Sequence, residues 1–177
     1  RASWLLQRAG FEERGRSLFG TIWKPTGAAP RPLPHRQELE AEDPSAYMPF
    51  EEVVRTYEVS KDKDWALPVV AVSYCWETPD HPDPTGRLLR AVAVLLRGDA
   101  DDVSGVRCAY GIPEFRRLGY DDVAVFIDWS SVFQKPRGDE EECSFKRALK
   151  GMNVLYAHRL SFSLLVQGQD EHLTHPR

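Results

Sequence analysis

Cysteine and histidine are scarce in this chain, and their spacing excludes two classes of small protein. The three cysteines form an odd set without C-x-x-C spacing, and the five histidines are spread along the chain. A disulfide framework needs paired cysteines, and a structural zinc site needs closely spaced ligands. Residues 80–84, Asp-His-Pro-Asp-Pro, carry metal-ligating groups, but their prolines favour a rigid, solvated loop. We therefore predict no metal site and an intracellular, reducing setting.

Long apolar runs and basic stripes are also missing. No apolar run approaches the ~20 residues that span a membrane, so we predict no transmembrane segment. The 23 basic residues are scattered and outnumbered by 27 acidic ones, which gives a net charge of -4. Nucleic-acid binding depends on clustered positive charge, so nucleic acid is not expected as a partner. What the chain does contain is a 42% hydrophobic share of 177 residues, enough for one domain with a core.

Prolines concentrate in the N-terminal part of the sequence. Six of them lie between Lys24 and Pro49, and each fixes φ and removes a backbone donor. We predict that residues 24–49 are extended. Residues 1–66 are interpreted as an irregular arm with short helices, one within residues 1–20 and one over 50–59. Residues 67–177 are interpreted as an α/β domain that is incomplete at its C-terminal end.

A strand and helix alternation begins after Pro68. Apolar runs predict strands over 69–75, 123–128 and 160–166, and amphipathic patterns predict helices over 86–97 and 142–158. The order β-α-β-α-β implies parallel strands with right-handed crossovers. The expected fold class is therefore α/β, with helices flanking a parallel sheet.

The second predicted helix has the clearest apolar face. Helical spacing places five apolar side chains on one side: Phe145, Leu149, Met152, Leu155 and Tyr156. We predict that Leu149 and Met152 are core residues. Truncation of Leu149 to alanine would then cost roughly 2 to 5 kcal/mol, as buried leucines usually do.

Polar and aromatic residues end the first two predicted strands. The first strand runs into Ser73-Tyr74-Cys75-Trp76 and the second into Asp128-Trp129-Ser130-Ser131. The carboxyl ends of parallel strands share one edge, where ligands bind. We predict that a subset of these residues lines a ligand crevice there: Ser73, Tyr74, Trp76, Asp128 and Ser130.

Structural roles remain open for the same residues. Tyr74 and Trp76 are large rings of the kind that pack helices against sheets. Asp128 follows five apolar residues, and capping a turn through the amides of Ser130 or Ser131 would satisfy it. Cys75 is expected to be a small buried thiol.

The ordered motifs resemble a known family. Ser73-Tyr74-Cys75-Trp76, then Phe126-Ile127-Asp128-Trp129 with Gln134, then Met152 and Tyr156 on a helix are together similar to the heterokaryon-incompatibility (HET) domain. Its pattern reads approximately S-Y-C-W-G, W/F-I-D-x-x-C-I-x-Q and M-x-x-I-Y-x-x-A. The resemblance covers residues 69–166. It extends to related proteins of algae and protists, in which a string like Pro-His-Arg-Gln-Glu-Leu at 34–39 occurs.

The HET resemblance carries implications for fold and function. HET domains are similar to Toll/interleukin-1 receptor (TIR) domains, which implies a flavodoxin-like fold and a signalling or protein-interaction domain that works by self-association. Some TIR domains cleave NAD, so the resemblance also implies a crevice for NAD or a related nucleotide. TIR enzymes carry their catalytic glutamate in a W-C-x-x-E-like setting after the third strand. No such string occurs here, and Glu171, just past the third predicted strand, is the candidate counterpart of that glutamate.

Two alternatives to the interaction domain stay open. The first is an NAD-cleaving enzyme whose catalytic helix lies beyond residue 177. The second is an accessory subunit of a larger assembly that docks through residues 1–66.

Overall fold

Twelve regular elements make up the described part of the chain. A computed structural model describes residues 1–17, 20–60, 67–97, 115, 120 and 122–166. The helices are α1 (Ala2–Arg8), α2 (Arg36–Glu42), a 3-10 turn (Pro44–Ala46), α3 (Phe50–Ser60), α4 (Arg87–Arg97), α5 (Asp128–Ser131) and α6 (Asp139–Ala157). The strands are β1 (Phe11–Ser17), β2 (Gly20–Pro25), β3 (Val69–Tyr74), β4 (Ala124–Phe126) and β5 (Phe162–Val166). None of the described helices combines the length and apolar character needed to cross a bilayer.

The chain divides into two compact units. The first contains Arg1, Leu33–Ser73 and Ala124–Leu165. The second contains Ala2–Pro32, Tyr74–Val123 and Val166–Arg177. Each unit therefore combines part of the first 66 residues with part of the later sequence.

The first unit contains a three-stranded parallel sheet in the order β4-β3-β5. Val69 pairs with Ala124 and Ala71 with Phe126 in the parallel β3–β4 ladder. Residues 69–72 are all buried, as expected for a central strand covered on both faces. The predicted strands and their parallel arrangement are confirmed, although β4 is shorter than expected. It ends early because the Ile127 carbonyl already accepts the amides of Ser130 and Ser131, which starts α5.

Helix α6 lies where a helix was predicted but is less covered than expected. It begins three residues before the predicted start, because Glu141 accepts the Gly138 amide and the acidic first turn suits the positive end of the helix dipole. No residue of α6 is buried, and Leu149 is 46% exposed. The prediction that Leu149 is a core residue is wrong, and Met152 is half-buried.

Helix α6 is longer than the strands of the sheet. A helix of nineteen residues is about 28 Å long, whereas the six residues of β3 extend about 20 Å. Tyr156, near the C-terminal end of α6, contacts the sheet through its hydrogen bond to the Val72 carbonyl.

The second unit is built around α4 and a hairpin. Strands β1 and β2 are antiparallel, with an irregularity between Glu13 and Gly15. Helix α4 packs against α1, and its inner face, which includes Leu89, Val92 and Leu96, is buried. The predicted helix over 86–97 is confirmed as Arg87–Arg97.

Residues 1–66 contain the two short helices that the sequence predicted, α1 within residues 1–20 and α3 over 50–59, and also the hairpin and α2, which it did not predict. The prediction that residues 24–49 are extended throughout is wrong, because α2 and the 3-10 turn lie within them. Two prolines of this span begin helical segments instead of interrupting them. Pro34 precedes His35, the N-cap of α2, and Pro44 is the first residue of the 3-10 turn. Proline is tolerated at these positions because no helical amide is required there.

Candidate functional site

Ser73 and Asp128 follow the paired part of β3 and β4 in the first unit. The β3–β4 ladder ends at Ala71 and Phe126; Ser73 lies two residues later in β3, and Asp128 lies two residues later as the first residue of α5. Both side chains are half-buried. Their position at the carboxyl ends of adjacent parallel strands is where open α/β sheets bind ligands.

Tyr156 joins this edge from helix α6. Its hydroxyl donates to the Val72 carbonyl at 3.3 Å, and its ring meets Phe126 edge-on with centroids 6.0 Å apart. Burial raises the pKa of Tyr156, and the negative charge of Asp128 raises it further. The phenol therefore stays protonated as a donor. Helical spacing predicts the face of α6 on which Tyr156 lies but not the neighbours of its side chain.

Asp128 is the first residue of α5, whose N-cap is Ile127. One carboxylate oxygen accepts the Trp129 amide at 2.7 Å, whereas the expected capped amides, those of Ser130 and Ser131, donate to the Ile127 carbonyl. The Gln134 side-chain amide donates to the Val132 carbonyl at 2.9 Å and closes the turn that follows. Asp128 is thus held in a fixed orientation at the strand end.

Ser130 has a structural role within the first unit. Its hydroxyl donates to the Pro34 carbonyl at 2.6 Å, and the Trp129 indole donates to the Leu33 carbonyl at 3.0 Å. Both of these bonds are buried. The ring of His35 meets the Trp129 ring edge-on at 5.8 Å. These contacts join the chain before α2 to α5.

Two glutamines and an arginine extend the same junction. The Gln37 side-chain amide donates to the Gln134 carbonyl at 2.6 Å, and the Gln134 backbone amide donates to the Gln37 side-chain oxygen at 3.1 Å. Arg36 donates to the Ser131 carbonyl at 2.8 Å and stacks 4.0 Å from the centre of the Phe133 ring. We call the joined segments, residues 33–37 and 129–134, the clasp. The string at residues 34–39 and the motif at 126–134 thus belong to one hydrogen-bond network.

Tyr47 supports the clasp from the turn after α2. Its hydroxyl is placed 3.2 Å from the Arg36 carbonyl and 3.1 Å from the Ser130 carbonyl, to which it donates. Burial, reinforced by the charge of Glu40, raises the pKa of Tyr47 to about 12. The hydroxyl therefore remains a donor throughout the ordinary pH range.

Replacing Ser130 by alanine tests its structural role. We expect a loss of about 1 to 3 kcal/mol of unfolding free energy, because the buried Pro34 carbonyl loses its donor. Urea denaturation measures this loss. Ser131→Ala, which removes a half-buried hydroxyl that accepts the Ile127 amide at 3.2 Å, is the comparison and should cost less. Equal effects would mean that the Pro34 contact does not stabilise the fold.

Tyr74, Cys75 and Trp76 belong to the second unit. Tyr74 is half-buried, Cys75 is exposed and Trp76 is 42% exposed. The expectation of a buried Cys75 thiol is wrong, because β3 already ends at Tyr74. That Tyr74 and Trp76 converge with Ser73 and Asp128 stays a prediction. Glu171 lies outside the described residues.

Polar side chains of the loop after β3 accept hydrogen bonds from nearby backbone amides. Asp83 is fully buried and accepts the amides of Leu88 and Leu89 at 2.9 and 3.0 Å. The Nδ1 atom of His81 accepts the Asp83 amide at 2.9 Å. Burial raises the pKa of Asp83, and the two accepted amides oppose this shift. In the described part of the chain, no three His, Cys, Asp or Glu side chains group to hold a metal ion.

Comparisons with known proteins identify no relative of this chain. No protein-family model matches it, and neither a curated protein nor a solved structure does.

Proposed function

We propose that this chain is a HET/TIR-like signalling domain that acts through protein contacts, first of all with copies of itself. The observation that carries the proposal is the exposure of α6. An amphipathic helix of nineteen residues has no buried residue, although helices of α/β folds normally bury one apolar stripe.

Other exposed apolar side chains in the first unit support this proposal. Phe50 is 74% exposed, Val154 58% and Leu165 65%. Single exposed apolar residues are ordinary, but several in one unit are typical of a surface that a partner covers. Burial of apolar surface contributes roughly 25 cal/mol per Å², so covering α6 and β5 would favour association.

The strand order supports the flavodoxin-like part of the proposal. In chain order β3 is the first strand of the sheet, β4 the second and β5 the third, so β4-β3-β5 reads 2-1-3. Flavodoxin-like sheets begin with this order. Helix α6 then forms the crossover between the second and third strands.

Leu149→Gln tests the interaction function. We expect the native chain to sediment faster as its concentration rises, and we expect Leu149→Gln to weaken this self-association several-fold because the exposed apolar side chain is lost. Asn153→Gln, also exposed on α6, is the matched control and should behave like the native chain. A native chain that remains monomeric at every concentration would contradict the proposal.

A second candidate function is binding of NAD or a related nucleotide at the sheet edge. It is favoured by Ser73, Asp128 and Tyr156, which supply hydroxyl and carboxylate groups suited to ribose hydroxyls. Calorimetry with NAD should detect binding, and Asp128→Asn should weaken it about tenfold, the expected effect of losing one charge-assisted hydrogen bond. Ser130→Ala should bind NAD normally. Nicotinamide release should be negligible, and absence of any binding would contradict this candidate.

A further inference from the structure

We infer that β5 is the edge through which two copies of this chain associate, by pairing antiparallel with β5 of a second copy. The inference rests on the proposed self-association and names its interface. Within the described residues β5 is an outer strand of the sheet. Its sequence, Phe-Ser-Leu-Leu-Val, has no charge and no proline, the features that usually protect an edge strand from pairing.

The alternation of β5 makes the strand complementary to itself. Phe162, Leu164 and Val166 are half-buried on one face, while Ser163 and Leu165 are exposed on the other. A two-fold axis at Leu164 places Phe162 opposite Val166 of the second copy and Leu164 opposite its counterpart. An apolar face thus continues across both sheets, and Leu165 lies opposite Ser163. Such self-complementarity is what a two-fold interface requires.

The charges of α6 fit the same arrangement. The first turn of this helix is acidic, from Asp139 to Glu142, and its other end is followed by the exposed residues His158 and Arg159. The helix is tied to β5, since the Ser163 hydroxyl donates to the Tyr156 carbonyl at 2.9 Å. A two-fold axis at the strand edge makes the two α6 helices antiparallel on one side of the joined sheet. The acidic end of each helix then faces the basic end of the other.

The expected association is weak. Stable protein–protein interfaces bury at least about 1,200 Å². A pair of five-residue strands with the flanking helix surface buries less than this. We therefore expect a reversible dimer with a dissociation constant in the micromolar range. Attraction between the helix ends should make it tighter at low salt.

Charged variants of Leu165 test the interface. Leu165→Lys and Leu165→Glu should each lower the dimer fraction at least tenfold in sedimentation velocity, because each places two like charges on diagonal positions about 7 to 8 Å apart. An equimolar mixture of the two variants should recover the dimer. Glu51→Lys, which changes the charge of an exposed residue of α3 in the same unit, should leave the dimer unchanged. If the two charged variants failed to fold, mixing them would not restore the dimer.

Cysteine cross-linking tests the register without added charge. In a background with Cys75, Cys108 and Cys143 replaced by serine, Leu164→Cys should form a disulfide-linked dimer on mild oxidation. In the proposed register the Cα atoms at position 164 of the two copies lie opposite each other, about 4.5 to 5.5 Å apart, within the range of a disulfide. Leu165→Cys, on the diagonal, should cross-link poorly.

The outcomes separate this inference from the proposed function. If the native chain self-associates but Leu165→Lys does not weaken association and Leu164→Cys does not cross-link, the β5 interface is wrong while the interaction function stands. If the native chain is monomeric throughout, both are wrong. Loss of association in each charged variant, recovery on mixing and selective cross-linking at Leu164 would establish the interface.

Discussion

Replacing Leu89 by alanine is expected to lower the free energy of unfolding by about 2 to 5 kcal/mol. Leu89 is fully buried on the inner face of α4, which packs against α1 in the second unit. Truncation removes apolar contacts and leaves a cavity that a close-packed core fills only in part. Urea denaturation followed by circular dichroism measures the change.

Leu149→Ala is the matched control for this experiment. It makes the same substitution on a helix, but Leu149 is 46% exposed, and surface substitutions usually change stability by less than about 1 kcal/mol. Similar losses for Leu89→Ala and Leu149→Ala would contradict the burial difference between α4 and α6. The control should be measured at a concentration where the chain is monomeric, since Leu149 is proposed to contribute to association.

Asp83→Ala is expected to cost about 2 to 4 kcal/mol at neutral pH. The buried carboxylate accepts the amides of Leu88 and Leu89, and each orphaned buried amide costs about 1 to 3 kcal/mol. Relief of the buried charge offsets part of this loss. The measurement is denaturant unfolding, with Asp80→Ala, an exposed residue of the same loop, as the control. Equal, small effects of both variants would contradict the capping role.

The raised pKa of Asp83 predicts the direction of a pH effect. Burial raises the pKa of this carboxyl above its ordinary 3.8, and the nearby charge of Glu77 adds to the shift while His81 opposes it. The folded protein therefore holds this proton more tightly than the unfolded chain does. Its contribution to stability is largest below pH 3.8 and falls as the pH rises through the raised pKa.

Asp83→Asn isolates this contribution, because asparagine does not titrate. As the pH rises from 3.8, the unfolding free energy of the native chain should fall relative to that of Asp83→Asn. The difference between the two curves, followed across the acid range, is the measurement. A difference that grows in the opposite direction would mean that the amides of Leu88 and Leu89 outweigh burial.

The strands of the sheet could be predicted because their signals are local. A run of apolar residues such as Val69 to Val72 is long enough for one strand and too short for a helix of ordinary length, and turn residues bound it. Helix α4 was predicted for a similar reason, since its apolar face repeats at helical spacing up to Arg97. Both patterns involve only residues that are close together in the sequence.

The burial of α6 could not be predicted in the same way. Its apolar periodicity indicates which face turns towards the sheet, and Tyr156 does contact Val72. How far that face is covered depends on the segments that the folded chain packs against it, which no local pattern records. Leu149 remains 46% exposed.

The clasp shows the same limit at the candidate site. Asp128 and Ser130 look alike in sequence, as polar residues just after an apolar run. Only the approach of residues 33–37, almost a hundred positions earlier, commits the Ser130 hydroxyl to the Pro34 carbonyl. Asp128 instead lies near enough to Tyr156 for its charge to raise the pKa of that phenol, a proximity that required the path of α6.

The sequence by itself determined the parallel strands, the two main helices and which polar residues follow the strands. Periodicity and strand ends are properties of contiguous residues, so they could be recognised without coordinates. The tertiary structure decided which of those polar residues remain at the edge, which serve the clasp, and which apolar residues are left exposed. These outcomes depend on contacts between segments distant in sequence, because the burial and the hydrogen-bond partners of a residue are set by the segments that pack against it in the folded chain.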